Sequence, residues 1–578
     1  MTDRQDGGEA VLAALRALSV EHIFSSPGSE WAPVWEALAR QRRDFVEGPR
    51  YHDLTHETLA VGMATGYALA SRRMAAVLLH AAPGLLQGAC AIHGALLSGA
   101  PMLICSSESV TFGEGDGPDP GSQWYRNLSV VGGPHTFVGP YVKWANQMPS
   151  VAVLYEMVLR AAELAQRPPA GPVYLNVPLE VLLADWRPPP VHKAVAPRGH
   201  RVSPPEEIES LAEALVGVRN PVVITESAGR DPAAFEALVE LCETLAIPVV
   251  EPQSAVCANF PKDHPLHVGA DVGLAADADL ILLVACRAPW YPPSASPAPA
   301  AEVVVIDEIP QRPHMVYQVL QADRYLEGDV AATLGGLVSS VRPHLDQRAI
   351  ADRRARWTAV HDEQQAATHA DEQRAEATAD RITPVLLAKV LREELGGDAI
   401  FVDETITHSR VLQRHLRWNE PDRWFYVQGG LGQGTAVALG VKIARPERTV
   451  VLTIGDGSFL YNPIVQALMA SRELELPLLV VVFNNRQYLS MKLNHLRFYP
   501  DGAAVAGDDF EGVDLSGQPP LSALGAPFDL PGWEVADPCE LRAAIREAGA
   551  AVAAGRTAIV NVQVRPPDRG TSQTPRGA

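Results

Sequence analysis

The sequence predicts an α/β protein of three domains, each a mostly parallel sheet flanked by helices, with the first and third domains related by duplication. Short β-branched runs alternate with Ala- and Leu-rich stretches, as in "PVVITES", "LILLVA" and "EVVVID". That alternation marks parallel strands joined by helical crossovers. The segments Thr58–Gly84 and Leu431–Gly457 share a small-residue helix, a basic turn, an apolar strand and a Gly-bearing turn. Each then runs through a helix into a proline-led strand, "APMLICSSE" in one and "LPLLVVVFNN" in the other. A repeat of this kind at two distant places in one chain indicates duplicated domains rather than a solenoid.

Punctuation sets the boundaries. The first domain, residues 1–185, ends before the proline-rich "RPPPVHKAVAPRGHRVSPPEE", which reads as a stiff extended linker. Residues 200–342 form a central, Rossmann-like domain. Residues 343–382 are rich in Ala, Arg, Glu and Gln with little apolar periodicity, and are expected to form a surface helix that links to the third domain, 383–565. Residues 566–578 hold nothing to bury and read as a frayed tail.

Composition narrows the function. A formal net charge of −20 argues against nucleic acid or an anionic membrane surface as partner. The N-terminus lacks a signal sequence, and no apolar run reaches the ~18 residues of a membrane span. Six cysteines without a C-x-x-C pair suggest neither a zinc site nor a disulfide framework. A cytoplasmic soluble protein is expected.

The chemistry concentrates in "VVLTIGDGSFLYN", Val450–Asn462, where an apolar strand runs into Gly455-Asp456-Gly457. After 26 intervening residues a second strand, "LPLLVVVF", ends in Asn484-Asn485. Strand, turn, helix and strand make one βαβ unit, whose right-handed crossover puts both strand ends on one edge of the sheet. Ligands of open α/β sheets bind at that edge. One carboxylate and one amide oxygen are too little for a calcium cage, but suit Mg²⁺ completed by phosphate oxygens and water. A phosphorylated cofactor held through the metal is therefore expected. GDG alone reads more readily as a tight turn; the matched Asn-Asn strand end turns the balance toward the site.

GDG-x26-NN resembles the thiamine diphosphate motif, and "SSPGSEWAPVWEAL", "GPYVKWANQMP", "GPVYLNVPLE", "GGLGQGTAVALG" and "ARPERTVVLTIGDGSF" resemble the decarboxylase branch of that superfamily, especially benzoylformate decarboxylase and the acetolactate synthase large subunit. The resemblance implies thiamine diphosphate and Mg²⁺ as cofactors, a pyrimidine-binding first domain and a diphosphate-binding third domain. It implies Asp456, the Asn485 side chain and the Gln487 carbonyl as metal ligands. Gly455, Gly457, Ser458 and Thr405 fall where the diphosphate is held, and Gly430 and Leu431 where the cofactor is bent. Glu57 matches the glutamate that hydrogen-bonds the pyrimidine ring. In such enzymes one subunit supplies Glu57 and another the diphosphate site, which implies a homodimer or homotetramer with shared active sites.

Three residues have competing readings. Glu57, at the start of an Ala/Gly-rich helix, also suits the helix macrodipole. His80 ends "AAVLLH" where benzoylformate decarboxylase has a catalytic histidine, yet a satisfied core histidine fits as well. Ser29 in "SPGSE" matches a substrate-contacting serine and is also an ordinary turn residue. The chain departs from its relatives at "CRAPWYPPSASP", where Trp290, Tyr291 and Pro292 stand in place of a second histidine. It departs again at "GSQWYRNLSVVGG", which leaves Gln123 as a thiazolium-side candidate, and in the loop after Asn485. The expected reaction is decarboxylation of a 2-oxo acid to an aldehyde, with or without carboligation. The alternatives are an acetolactate synthase-like carboligase, a 2-hydroxyacyl-CoA lyase using an acyl-CoA, and a catalytically silent cofactor-binding regulator.

Overall fold

The computed structural model describes residues 5–108, 118–119, 132–189, 199, 201–287, 289–290, 296–312, 321–378 and 380–565. Gln123, Tyr291, Pro292 and the tail lie outside the described residues.

The N-terminal sheet contains β1 (His22–Ser26), β2 (Arg50–Asp53), β3 (Ala75–Leu79), β4 (Met102–Ser106), β5 (Ala145–Gln147) and β6 (Pro172–Asn176) in the order β2-β1-β3-β4-β6-β5. The central sheet contains β7 (Pro221–Thr225), β8 (Val249–Val250), β9 (Leu280–Val284), β10 (Glu302–Asp307) and β11 (Arg324–Glu327) in the order β11-β10-β9-β7-β8. The C-terminal sheet contains β12 (Ile400–Glu404), β13 (Trp424–Tyr426), β14 (Val450–Gly455), β15 (Leu479–Asn484), β16 (Gly532–Val535) and β17 (Ala558–Gln563) in the order β13-β12-β14-β15-β17-β16. Counted within each domain, the first and third sheets have the same strand order, and their ladders are parallel. The duplication read from sequence is thus a repeated topology. The inner strands β3 and β15 are buried along their whole length, which is why they read as continuous apolar runs.

Five helices position the chemistry. Helix α1 (Glu57–Ser71) starts where His56 Nδ1 accepts the Thr58 N–H and ends at Arg72 in the left-handed region. Helix α2 (Ala82–Ser98) follows β3 directly and ends at left-handed Gly99. Helix α3 (Gln347–Ala377) spans the expected linker, α4 (Gly434–Ala444) precedes β14, and α5 (Asp456–Tyr461) follows it.

The described residues form two compact units. One holds the N-terminal sheet with Val427–Glu447 and Leu460–Leu478; the other holds the central sheet and the remainder of the C-terminal domain. In the first unit, α1 and α4 pack backbone to backbone. A Cβ on Gly66 would lie 2.0 Å from the Val437 carbonyl oxygen, and one on Gly440 would lie 2.0 Å from that of Met63. The small residues of the two repeats are what permits this approach.

In the second unit, α3 buries Ile350, Arg353, Trp357, His361, Thr368, Glu372 and Ala375 along one face. Arg353 donates to the carbonyls of Leu245 and Val218 in the central domain. Glu372 takes both Arg392 amino groups and His415 Nδ1 in the C-terminal domain. The linker is therefore a clamp with a mostly polar buried stripe. Among the described residues no helix is long and apolar enough to cross a membrane.

Candidate functional site

The C-terminal half-site is built on the carboxyl ends of β14 and β15. Gly455 pairs with Phe483, so Asp456 and Asn484 emerge side by side. The GDG segment is not a separate turn: β14 passes straight into α5, with Asp456 as its first residue. Asp456 is 2% exposed. Its carboxylate accepts the backbone N–H groups of Gly457 and Arg486 and the Gln518 amide, and burial pushes its pKa up. Among the described residues no Lys, Arg or His side chain pairs with it. A buried carboxylate served only by amides lacks a cation.

The oxygens around it suit a hard one. Asn485 Oδ1 accepts the Gln487 N–H at 3.0 Å, and the Gln487 carbonyl accepts the Leu489 N–H at 2.9 Å. Each of these oxygens has a second lone pair. Among the described residues no three His, Cys, Asp or Glu side chains cluster as metal ligands. A site here must use one carboxylate with amide and carbonyl oxygens, the mixture that fits Mg²⁺. Gln518 was not foreseen: its amide donates to both Asp456 Oδ2 (3.4 Å) and Asn484 Oδ1 (2.8 Å), and its own oxygen is buried without a partner.

Thr405 and Ser458 are buried around Gly455, where an added Cβ would meet the Thr405 carbonyl oxygen at 3.7 Å and Ser458 Oγ at 3.9 Å. A Cβ on Gly457 would lie 2.4 Å from the Tyr488 ring, so this cradle tolerates no side chain there. Thr405 is held from beneath, its N–H and hydroxyl both donating to Asp403 Oδ1. Asp403 is wholly buried, its pKa raised by burial, and sequence reasoning passed over it. Ile406, next in the chain, is a β-branched residue at φ 56°, a strained conformation that concentrates at functional sites.

Gly430 and Leu431 sit in the other unit, in a turn where Gly429, Gly430 and Gly432 have φ of 90°, 113° and 98°. Only glycine takes that conformation freely. A Cβ on Gly429 would lie 2.4 Å from Gly94 Cα, so the turn rests on α2 with Leu431 half-buried.

The N-terminal half-site collects the loops after three neighbouring strands. Glu57 follows β2, Ser29 and Glu30 follow β1, and His80 follows β3. Gly84 lies between two of them: its Cβ would be 3.1 Å from Glu57 Oε1 and 3.1 Å from His80 Cβ. His80 Nδ1 lies 2.9 and 3.2 Å from the two Glu30 oxygens. That bond, helped by the charges of Glu30 and Glu57, raises the histidine pKa above 6.5 against the opposing effect of burial. Ser29 is exposed at the rim of the same turn. Glu30 was present in "SPGSE", but nothing in the pattern showed that its side chain turns inward. Trp290, in the central domain, is buried in that domain's apolar core.

Parallel α/β domains that gather polar residues at their carboxyl edges define an enzyme with a bound, phosphorylated cofactor. Three family models match the chain: the N-terminal thiamine pyrophosphate binding domain over residues 5–120, the central domain over 208–337 and the C-terminal binding domain over 405–562. The chain belongs to the thiamine pyrophosphate enzyme family. It is 28% identical over 564 residues to benzoylformate decarboxylase of Pseudomonas aeruginosa, covering 95% of this chain and 97% of the relative. It is 29% identical to a probable 2-ketoarginine decarboxylase of the same organism (83% and 82% covered) and 26% identical to the acetolactate synthase isozyme 3 large subunit of Escherichia coli (96% and 94%). The fold matches that of a thiamine diphosphate-dependent 4-hydroxybenzoylformate decarboxylase from Rhodococcus jostii RHA1, with a TM-score of 0.77 at 23% identity, covering 97% of this chain and 98% of that one.

Proposed function

We propose that this enzyme cleaves the bond between the carbonyl carbon and the carboxylate of a 2-oxo acid, releasing CO2 and an aldehyde. Thiamine diphosphate, when bound, supplies the nucleophilic carbon and the electron sink. Asp456, Asn485 Oδ1 and the Gln487 carbonyl would hold Mg²⁺; Gly455, Gly457, Ser458 and Thr405 would line the diphosphate, and Gly430 and Leu431 would support the bound cofactor. Glu57 would hold a proton toward the pyrimidine ring, Ser29 would contact the substrate at the rim, and His80 would move protons on the substrate.

The observation that carries this reading is His80 after the end of β3, with Gly84 close to both it and Glu57. Retention of Glu57 beside His80 speaks against a silent regulator, which needs no proton-transfer pair. One observation bears on carboligation as a second outcome: the stretch "CRAPWYPPSASP", which the resemblance matches to a second histidine, contains none, and its Trp290 is packed in the central core. With one proton donor fewer, the reacting carbon survives longer to meet an aldehyde.

The active unit in this reading is a homodimer or homotetramer with shared sites. Leu86, Leu460, Tyr461 and Val465, all in the unit that carries Glu57, are 51%, 43%, 63% and 62% exposed, an apolar set that a second subunit would cover. Six free cysteines suit the reducing cytoplasm.

The test is incubation of the purified enzyme, thiamine diphosphate and Mg²⁺ with a panel of 2-oxo acids, benzoylformate included, with and without aldehydes. CO2 and the matching aldehyde are expected by mass spectrometry. Ligated product alone would favour the carboligase, cleavage confined to 2-hydroxyacyl-CoA would favour the lyase, and no cofactor-dependent product would overturn the proposal.

A further inference from the structure

We propose that Glu30 is the positioning residue of the N-terminal half-site, holding His80 with its hydrogen on Nδ1 so that proton exchange with the substrate runs through Nε2. This rests on the reading of His80 as the group that moves protons on the substrate.

The geometry is specific to that task. The Glu30 side chain is 0% exposed, and burying a carboxylate is costly unless it is paired. Among the described residues its partners are His80 Nδ1 and the N–H of Ala81, at 3.0 Å, and no Lys or Arg pairs with it. A carboxylate only accepts, so Nδ1 carries the hydrogen. The flanking turn is shaped around the same ring. A Cβ on Gly28 would lie 1.9 Å from His80 Nδ1, so no side chain fits there. Trp31 is wholly buried and donates its indole N–H to the Leu79 carbonyl at 2.9 Å, tying the turn to the strand that carries His80.

Among the described residues, charged groups facing His80 include Glu30, from the turn after β1, and Glu57, from the first turn of α1; Tyr51 on β2 faces Glu30. Both carboxylates favour the imidazolium. In this reading His80 acts as the acid. It gives the Nε2 proton to the carbon that has lost CO2 and is left neutral, with Nδ1–H still bonded to Glu30. Solvent returns one proton to Nε2, so each turnover consumes the single proton that replaces CO2.

The experiment is NMR titration of holoenzyme labelled with ¹³C,¹⁵N-histidine, the His80 signals being assigned by their loss in His80→Asn. In the wild type the His80 midpoint is expected above 6.5, and above that midpoint the nitrogen shifts should report hydrogen on Nδ1. Glu30→Gln should lower the midpoint, shift the pH profile of kcat/KM with it, and reduce kcat roughly 10- to 100-fold with little change in KM. A wild-type midpoint at or below 6.5 overturns the inference without any variant, as does an unchanged midpoint in folded Glu30→Gln. His80→Asn separates the two levels. Full turnover in that variant overturns the proton-transfer reading itself, whereas an inactive His80→Asn with a His80 midpoint independent of Glu30 overturns this inference alone.

Discussion

Asp456 shows how a single residue can carry a structural cost that its proposed function explains. Its carboxylate is buried among amides that cannot neutralise it, so the fold maintains a demand for a cation. Asp456→Ala is expected to weaken Mg²⁺ and thiamine diphosphate together, by roughly 100-fold, in calorimetric titration; wild-type affinity at equal Mg²⁺ would remove this residue from the site. Glu57→Gln makes the complementary prediction: cofactor affinity stays within a few-fold, while deuterium exchange at the acidic carbon of the bound cofactor, followed by quenched-flow NMR, slows by roughly 10²–10⁴. An unchanged exchange rate would leave Glu57 as a helix-start carboxylate. Asp456 and Asn485 were legible because strand periodicity alone puts them on one sheet edge. Glu30, Asp403 and Gln518 were not, since their roles depend on which way a side chain turns in a loop. Gln518 reaches Asn484 from 34 positions along the chain, a distance no local pattern encodes.

Among the elements, helices α1 and α4 were legible as small-residue helices, but their mutual packing was not, because small residues also suit a helix buried by a sheet. The contact makes Gly440 behave oppositely to a helix glycine that has no neighbour. Gly440→Ala drives a methyl into the Met63 carbonyl and should cost about 1–3 kcal/mol. Gly335→Ala, in the helix Val330–Val341 with nothing within 4 Å, should gain about 0.5–1 kcal/mol. Denaturant midpoints of the two variants should move in opposite directions, and a neutral Gly440→Ala would mean that the helices separate easily. Helix α3 escaped notice as a clamp because its buried face carries Arg353, His361, Thr368 and Glu372, which an apolar periodicity cannot register. Its partners hold Glu372 well below the usual carboxylate range, at about 2, despite the opposing effect of burial. A carboxylate depressed from 4.5 to about 2 stabilises fully above pH 4.5, and that stability is lost as the pH falls toward 2. Glu372→Ala should cost about 3–5 kcal/mol at pH 7 and flatten the acid limb of stability between pH 4.5 and about 2. An acid limb as steep as that of the wild type would place the acid sensitivity elsewhere.

For the whole molecule, the three sheets and the duplication were legible because parallel buried strands and their crossovers repeat a pattern that needs no long-range knowledge. How subunits assemble is encoded in surfaces and not in periods. Mixing Glu57→Gln with Asp456→Ala subunits, after native mass spectrometry has shown exchange, should restore activity to roughly a quarter of the wild-type level if random dimers form and each has one intact shared site in half of the assemblies. Activity at the background of the single variants, with mixed dimers present, would refute shared sites. The repeated strand order has one more consequence. In both copies the third strand of the sheet ends at a residue of the proposed site, but β3 leads to His80 and β14 to Asp456. The two copies have become specialists at the same address. A recombination event that overwrote one with the other would preserve the fold and every buried strand, yet erase one set of the proposed site residues, so in this reading divergence between the repeats is locked in for as long as the activity is selected.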